Sequence, residues 1–344
     1  AALSGGVDSV VLLDLLLKLL PRYRFKLSAI HDNHGISPNA FRWERFCREF
    51  CRVRGVPFKV FRVKVVKTRG ASLEAAAREA RYGVLASYPA DFIVLAQHGD
   101  DQAVTLLLQL LRGAGVKGLS AMPLVRPLAP EVSGDLSRFA IRNPLLLRPL
   151  LGVTRNAIEA YAGRRRLEWM EDESNEDTAL DRNYLRWRVL PLLAARFPGY
   201  REALSRAADH FAEAAELLGD LAAIDGGEGI PGNTLPLAIL RGLPKSRAKN
   251  LLRHFLAANG VPFPSAVRLE ELLRQLRTAG ADSKVRIAVG EFDVRCFRGG
   301  AYVLRMRATV PRSFLKRWRG EKRISLDPLP GVIAFRERKG AGIS

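Results

Sequence analysis

The six residues Ser4-Gly5-Gly6-Val7-Asp8-Ser9 lie between Leu3, which ends a short apolar run, and a pattern rich in leucine and valine over 9–20. A strand, a tight turn and a helix fit that order. Two glycines let the backbone turn sharply and approach an anion closely, and the first N–H groups of the following helix have no partner within it. A phosphate group fits such a turn without a lysine. The GxxxxGK[ST] spacing of the common nucleotide-binding loop is absent, so the ordinary NTPase reading is unsupported. Read alone, the six residues remain open to a second reading, a strand-to-helix turn that happens to be rich in glycine.

Outward from this turn, short β-rich runs alternate with helical ones. The periodicity predicts strands over 25–31, 58–66 and 92–97, and helices over 9–20, 40–54, 72–87 and 100–112. Alternation of this kind predicts an α/β fold, a parallel sheet with helices on both faces, whose ligands bind beyond the carboxyl ends of the strands. An irregular excursion is expected between Pro123 and Pro149, then a helix over 154–164 with Thr154 as N-cap, and another over 181–195. Phe197-Pro198-Gly199 is the best boundary signal. Beyond it come a long amphipathic helix (200–224), two shorter ones (244–259 and 265–278), and a hairpin signal over 284–305 around Gly299-Gly300. The apolar run 332–335 reads as a strand with no visible partner. The expected division is therefore a catalytic domain over 1–197, a mostly helical domain with a terminal hairpin over 198–311, and the start of a truncated last domain over 312–344. The chain does not open with Met, and its true start is expected to lie further upstream.

The chain has 344 residues, with 55 Lys and Arg against 35 Asp and Glu, a net charge of +20. The excess is shared along the chain, which predicts a long basic surface and makes nucleic acid the first partner to test. With 48% hydrophobic residues it can bury a substantial core. No apolar run reaches the roughly 20 residues of a membrane helix, so no membrane partner is expected. Cys47, Cys51 and Cys296 form no disulfide framework or zinc quartet and read as reduced, structural thiols in a cytoplasmic protein. His31, His34 and His98 follow predicted strands and read as hydrogen-bonded structural residues rather than metal ligands. Asp100-Asp101 at a strand-to-helix junction suits a metal or an amine, or equally a pair favoured by the helix dipole.

The spelling SGGxDS after the first strand resembles the loop of the PP-loop ATP pyrophosphatase superfamily, with its adenine nucleotide alpha hydrolase-like fold. Further segments follow in the same order: His31-Asp32-Asn33-His34-Gly35, the helix opening Ser72-Leu73-Glu74, Gln97-His98-Gly99-Asp100-Asp101-Gln102, Leu111-Arg112-Gly113-Ala114-Gly115, Asp172-Glu173-Ser174-Asn175 and Arg182-Asn183-Tyr184-Leu185-Arg186. Together they are similar to the tRNA(Ile)-lysidine synthetase family, densely over 1–197 and mainly in layout from 198 onward.

That resemblance implies ATP and Mg²⁺ as cofactors, and L-lysine and tRNA(Ile) with a CAU anticodon as partners. The oxygen on C2 of the wobble cytidine attacks the α-phosphate of ATP, and the ε-amine of lysine then displaces AMP. It implies ATP contacts at Ser4, Gly5, Gly6, Val7, Asp8, Ser9, Ile30 and His98, with Asp8 also placing Mg²⁺. Catalytic roles fall to Asp8, Asp101 and Arg112, lysine binding to Asp101 and Glu74, and tRNA binding to Arg78, Arg112, Arg182 and Arg186; a homodimer is a further expectation. The chain departs from the family at Val104, where the usual pattern has Glu, an acid expected to hold lysine; Glu74 is the candidate substitute. Two other readings stay in view. One is another PP-loop tRNA-modifying enzyme, a thiolase, which would need paired catalytic cysteines or an iron–sulfur cluster. The other is an impaired RNA-binding homologue.

Overall fold

The computed structural model describes residues 1–33, 39–62, 73–128, 144–171, 177–227, 234–280, 285–306, 317–325 and 332–335, with the backbone alone at 73–79, 325 and 332. The chain divides into two compact units, Ala1–Ile224 and Asp225–Ser344.

The first unit is built on a sheet whose centre is the first three residues. Strand β1 (Ala29–Asn33) runs parallel to β2 (Phe58–Arg62) on one side. On its other side, Leu3 N–H donates to the Ile30 carbonyl and Ile30 N–H to the Ala1 carbonyl, both at 2.8 Å. Ala2 N–H in turn donates at 2.9 Å to Val94 of β3 (Phe92–Val94). Beyond β3 lie β5 (Leu145–Leu147), parallel to it, and β4 (Val125–Pro127), antiparallel to β5. The order is thus β2, β1, residues 1–3, β3, β5, β4.

Successive strand residues face opposite sides, and the two cores record this. Ala29 and Val94 pack with Leu3, Val10, Leu13, Cys47, Cys51, Ile158 and Ala162. Their neighbours Ile30 and Ile93 pack with Leu85 and Leu146 on the other side. Helices α1 (Val7–Tyr23), α2 (Ala40–Val53) and α6 (Arg155–Arg164) therefore cover one face, and α3 (Leu73–Ala86) the other. The expected parallel sheet with helices on both faces is present.

Several expectations need correction. The strand expected at 25–31 begins only at Ala29, because α1 continues to Tyr23 and Arg24 closes it in the left-handed region. The excursion expected at 123–149 contains β4 and β5; Leu145-Leu146-Leu147 is too short a run to show its period, yet it is an interior strand. Helix α4 (Gly99–Leu111) and the short α5 (Val116–Leu119) follow β3. The helix expected at 181–195 is α7 (Asp181–Tyr184), a π-helical turn (Leu185–Val189) and α8 (Leu190–Arg196). The long helix α9 (Tyr200–Gly226) starts inside the first unit, since Tyr200 packs with Ala103 and Val104, and Ala208 with Leu106.

In the second unit, α10 (Leu237–Gly242), α11 (Lys245–Ala258) and α12 (Ala266–Thr278) bury Leu240, Leu252, Phe255, Leu272 and Leu276. An antiparallel sheet runs in the order β6 (Thr234–Pro236), β9 (Gly300–Arg305), β8 (Phe292–Phe297), β7 (Arg286–Val289). The signal at 284–305 is thus three strands, with a second turn at Gly290. The strand expected to lack a partner has one: β11 (Val332–Ala334) pairs antiparallel with β10 (Arg323–Ser325). No helix among the described residues is long and apolar enough to cross a membrane.

Leu146 is fully buried on the interior strand β5. Leu146→Ala is expected to lower unfolding stability by about 2–5 kcal/mol in urea titrations; a loss under about 1 kcal/mol would contradict an interior position for β5.

Candidate active site

The turn of residues 4–9 leaves the central strand at its carboxyl end and enters α1. Gly5 adopts φ +95°, a conformation that side chains rarely take, and a Cβ there would stand 3.2 Å from the Cys47 sulfur. The loop is held by its own serines. Ser9 Oγ accepts from the N–H groups of Ser4 and Gly5 at 3.2 Å and donates to the Gly6 carbonyl at 2.9 Å. Ser4 Oγ lies 3.1 Å from Ser9 Oγ and accepts from Gly6 N–H. Met170 N–H donates to the Gly5 carbonyl from outside. The motif is thus a preformed turn at the positive end of a helix, suited to an anion.

Asp8, in the first turn of α1, connects this loop to a second cluster. Its Oδ1 lies 3.8 Å from His98 Nε2, and the same nitrogen lies 3.5 Å from Asp101 Oδ2. His98 Nδ1 lies 3.6 Å from Asp100 Oδ2. Three carboxylates therefore surround one imidazole that is 1% exposed. His98 is also the N-cap of α4, where its backbone N–H donates to Asp101.

Four arginines from distant segments balance these acids. Arg155 reaches Asp8 Oδ2 at 3.0 Å, while its own backbone N–H donates to Asp100 Oδ2 at 2.9 Å. Arg201 binds Asp100 Oδ1, and Arg182 and Arg186 both bind Asp101 Oδ1. Burial alone would raise all three carboxyls. For Asp100 the neighbouring His98 ring, the hydrogen bond from the Arg155 backbone and the Arg201 guanidinium together outweigh it and hold the group well below the usual range. For Asp101 the charges of His98, Arg182 and Arg186 do the same. For Asp8 burial prevails over His98 and Arg155, and its pKa is raised. Asp8 Oδ1 is buried and accepts no hydrogen bond among the described residues. A bare carboxylate oxygen beside an anion-binding turn fits Mg²⁺, a hard cation that takes one or two carboxylates and completes its shell with phosphate oxygens and water.

The fold thus brings together Ser4, Gly5, Gly6, Asp8, Ser9, His98, Asp101, Arg182 and Arg186. Others lie apart. The Val7 side chain is buried in the core, leaving its N–H at the helix start. Ile30 spends both backbone groups on the sheet, and its side chain is 2% exposed. Arg112 is exposed and pairs with Asp181 at 3.5 Å; eleven residues past Asp101, it stands about 16 Å further along α4. His34, Ser72 and residues 172–175 lie outside the described residues, as do the side chains of Glu74 and Arg78. Val104 is fully buried with Leu185, Leu190 and Tyr200. His31 is buried, with Nδ1 2.9 Å from the Leu3 carbonyl, in the structural role expected of it.

Arg155 and Arg201 were not among the residues expected from sequence. One signal pointed to them: each is a cation in the first turn of a helix, where the dipole disfavours positive charge and a nearby acid must compensate. Cys47 lies against Gly5 of the loop and Cys51 is buried in the same core, and burial pushes their thiols up to about 12 and about 11. Both remain protonated near neutrality, unlike nucleophilic cysteines.

Comparison with known proteins adds three relatives and two families. A family model described as PP-loop domain matches residues 1–193, and one described as TilS substrate binding domain matches residues 235–302. The tRNA(Ile)-lysidine synthase of Nitrosomonas europaea is 44% identical, over 99% of this chain and 72% of the relative. The enzymes of the same name from an Azoarcus species and from Aromatoleum aromaticum are each 42% identical. The alignments span 93% of this chain and 68% of the first, and 99% of this chain and 76% of the second.

The carboxylate shifts have a consequence for stability. The lowered pKa of Asp100 and Asp101 stabilises the native state above the ordinary carboxylate range near pH 4, and that contribution is lost progressively as pH falls from that range toward their lower folded-state pKa. Asp8, with its pKa raised, acts in the opposite sense. Urea midpoints are expected to drop between pH 6 and pH 3, and Asp100→Asn to be less stable at pH 6 with a shallower drop. Parallel curves for the two proteins would contradict the assigned charge state.

Proposed function

This chain belongs to the tRNA(Ile)-lysidine synthase family, and from that membership we infer that it ligates L-lysine to C2 of the wobble cytidine of tRNA(Ile) with a CAU anticodon. ATP is cleaved to AMP and pyrophosphate. The observation that carries this reading is the continuity of the anion-binding turn with the carboxylate–arginine cluster, through Asp8 and His98. One end of that surface suits a leaving diphosphate, the other an amine and an activated base.

In the first step the O2 oxygen of cytidine forms a bond to the α-phosphorus, and the bond to the β-phosphate oxygen breaks. In the second, the lysine ammonium gives up a proton to water, the free amine bonds to C2, the C2–O bond breaks and AMP leaves. Ser4, Gly5, Gly6 and Ser9, with the Val7 N–H, would receive the pyrophosphate. Asp8 would hold Mg²⁺, which neutralises phosphate charge when bound. Arg155 contacts Asp8 and would be placed to exchange that carboxylate for a phosphate. Holding base and amine side by side can supply an effective molarity on the order of 10⁵ M.

Asp101 would meet the lysine. Its low pKa makes it a poor base, so its role is to orient the ammonium group, and an arginine must yield its place there for lysine to enter. Glu74 is the second acid proposed for lysine, and Arg78, Arg112, Arg182 and Arg186 remain the proposed tRNA contacts. The catalytic domain of 1–197, the helical domain of 198–311 and the start of a further domain at 312–344 remain the proposed division of labour. The high pKa values of Cys47 and Cys51 weigh against a thiolase.

Radiolabelled lysine should enter unfractionated tRNA in an ATP-dependent reaction, and Asp8→Ala should slow it by roughly 100-fold or more. Pyrophosphate release that persists without tRNA, with no lysine label entering tRNA, would contradict the reading. Val104→Glu tests the departure from the family pattern. The new carboxylate would sit in the cluster that holds Tyr200, whose hydroxyl has no hydrogen-bond partner among the described residues. A lower apparent KM for lysine is expected, and an unchanged KM in a folded variant would contradict a role for position 104.

A further inference from the structure

The antiparallel sheet of the second unit has one buried face and one open face. Residues paired across an antiparallel ladder share a face. Val294 pairs with Val303, and both are buried. The alternate pairs, Arg286 with Arg295, Arg295 with Tyr302 and Phe297 with Gly300, therefore lie together on the other face. A cavity of about 570 Å³ opens there, lined by Arg286, Arg295, Phe297, Tyr302 and Leu304 among others.

The chemistry of this face is specific. Phe297 is 59% exposed, although it is a large aromatic on a folded strand. A Cβ on Gly300 would stand 3.2 Å from the Tyr302 ring, so that ring lies over the glycine, beside the cross-strand neighbour Phe297. The Arg298 guanidinium sits 5.2 Å from the Phe297 ring centroid. Arg286 Nε and Arg295 Nη2 both bind Asp293 Oδ2 at 2.9 Å, so two guanidinium groups are held on the face by one buried carboxylate. Among the described residues, one carboxylate serves both cations.

Aromatic surfaces flanked by fixed guanidinium groups match the π-face of a base and its adjoining phosphate. Two cations on one carboxylate among the described residues, in a chain of net charge +20, favour a polyanion over a second copy of the same face. We propose that this sheet face holds an unpaired nucleotide of the tRNA, its base stacked on Phe297 and Tyr302 and its phosphate met by Arg286 and Arg295. The proposal rests on tRNA being the substrate and adds where, and through which part of the RNA, the second unit binds it.

The test uses the full chain and an unmodified tRNA(Ile) transcript. Phe297→Leu keeps an apolar side chain but removes the ring, and the exposure of Phe297 means the fold tolerates it. It should raise the KM for tRNA by roughly 5- to 100-fold, the range for losing one base stack, with kcat and the KM for ATP unchanged. Phe297→Trp should keep a near-normal KM, and its added fluorescence should be quenched by tRNA. An unchanged KM for tRNA in Phe297→Leu, or a tryptophan at 297 blind to tRNA, would overturn the proposal. So would a change in sedimentation from dimer to monomer without any change in that KM, which would mark the face as a contact between copies. If the unaltered chain bound tRNA through Phe297 yet incorporated no lysine, this proposal would stand and the lysidine reading would fall.

Discussion

Three carboxylates crowd one buried imidazole at the start of α4, and the site depends on the arginines that make this arrangement tolerable. Like charges a few ångströms apart in a partly buried setting repel strongly, and each loses hydration as well. Arg155, Arg182, Arg186 and Arg201 supply the balance from α6, α7, the π-helical turn and α9. The same ion pairs tie those segments to α4. Site electrostatics and tertiary structure are here one set of contacts, which explains why the first compact unit continues into α9.

This arrangement also prepares the protein for polyanionic substrates. Each arginine now bound to an aspartate is a cation placed within reach of a phosphate. On the proposed reading, arrival of the triphosphate and Mg²⁺ would give Asp8 and Arg155 new partners together, so that little charge would be left uncompensated. The turn at 4–9 changes little by comparison, because its serines already fix it and Gly5 takes a conformation closed to other residues. On the proposed reading, a preformed phosphate cradle beside a network of ion pairs would let adenylation and amine transfer share one site.

Much of this was legible in the sequence, and the reasons differ by residue. The loop at 4–9 could be read from its resemblance to the PP-loop, since glycine spacing alone left an accidental turn open. The helices at 40–54 and 154–164 followed from periodicity and from Thr154, whose hydroxyl does cap its helix. Strand β5 was missed because three leucines carry no period, and the partner of β11 because β10 is only three residues long. Asp101 was singled out as a site candidate, but its charge state depends on arginines more than eighty positions away, which no local pattern encodes. Arg155 and Arg201 were overlooked for the same reason, although cations at helix starts were a signal in plain sight.

The central claim is that ATP activates the RNA base and not the amino acid. It is tested most directly by incubating the chain with ATP labelled at the α-phosphate and CAU-anticodon tRNA, with lysine left out. The account predicts label bound covalently to the tRNA, released as AMP when lysine is added, and no such transfer by Asp8→Ala. Label appearing on lysine in the absence of tRNA, with none on the RNA, would contradict it.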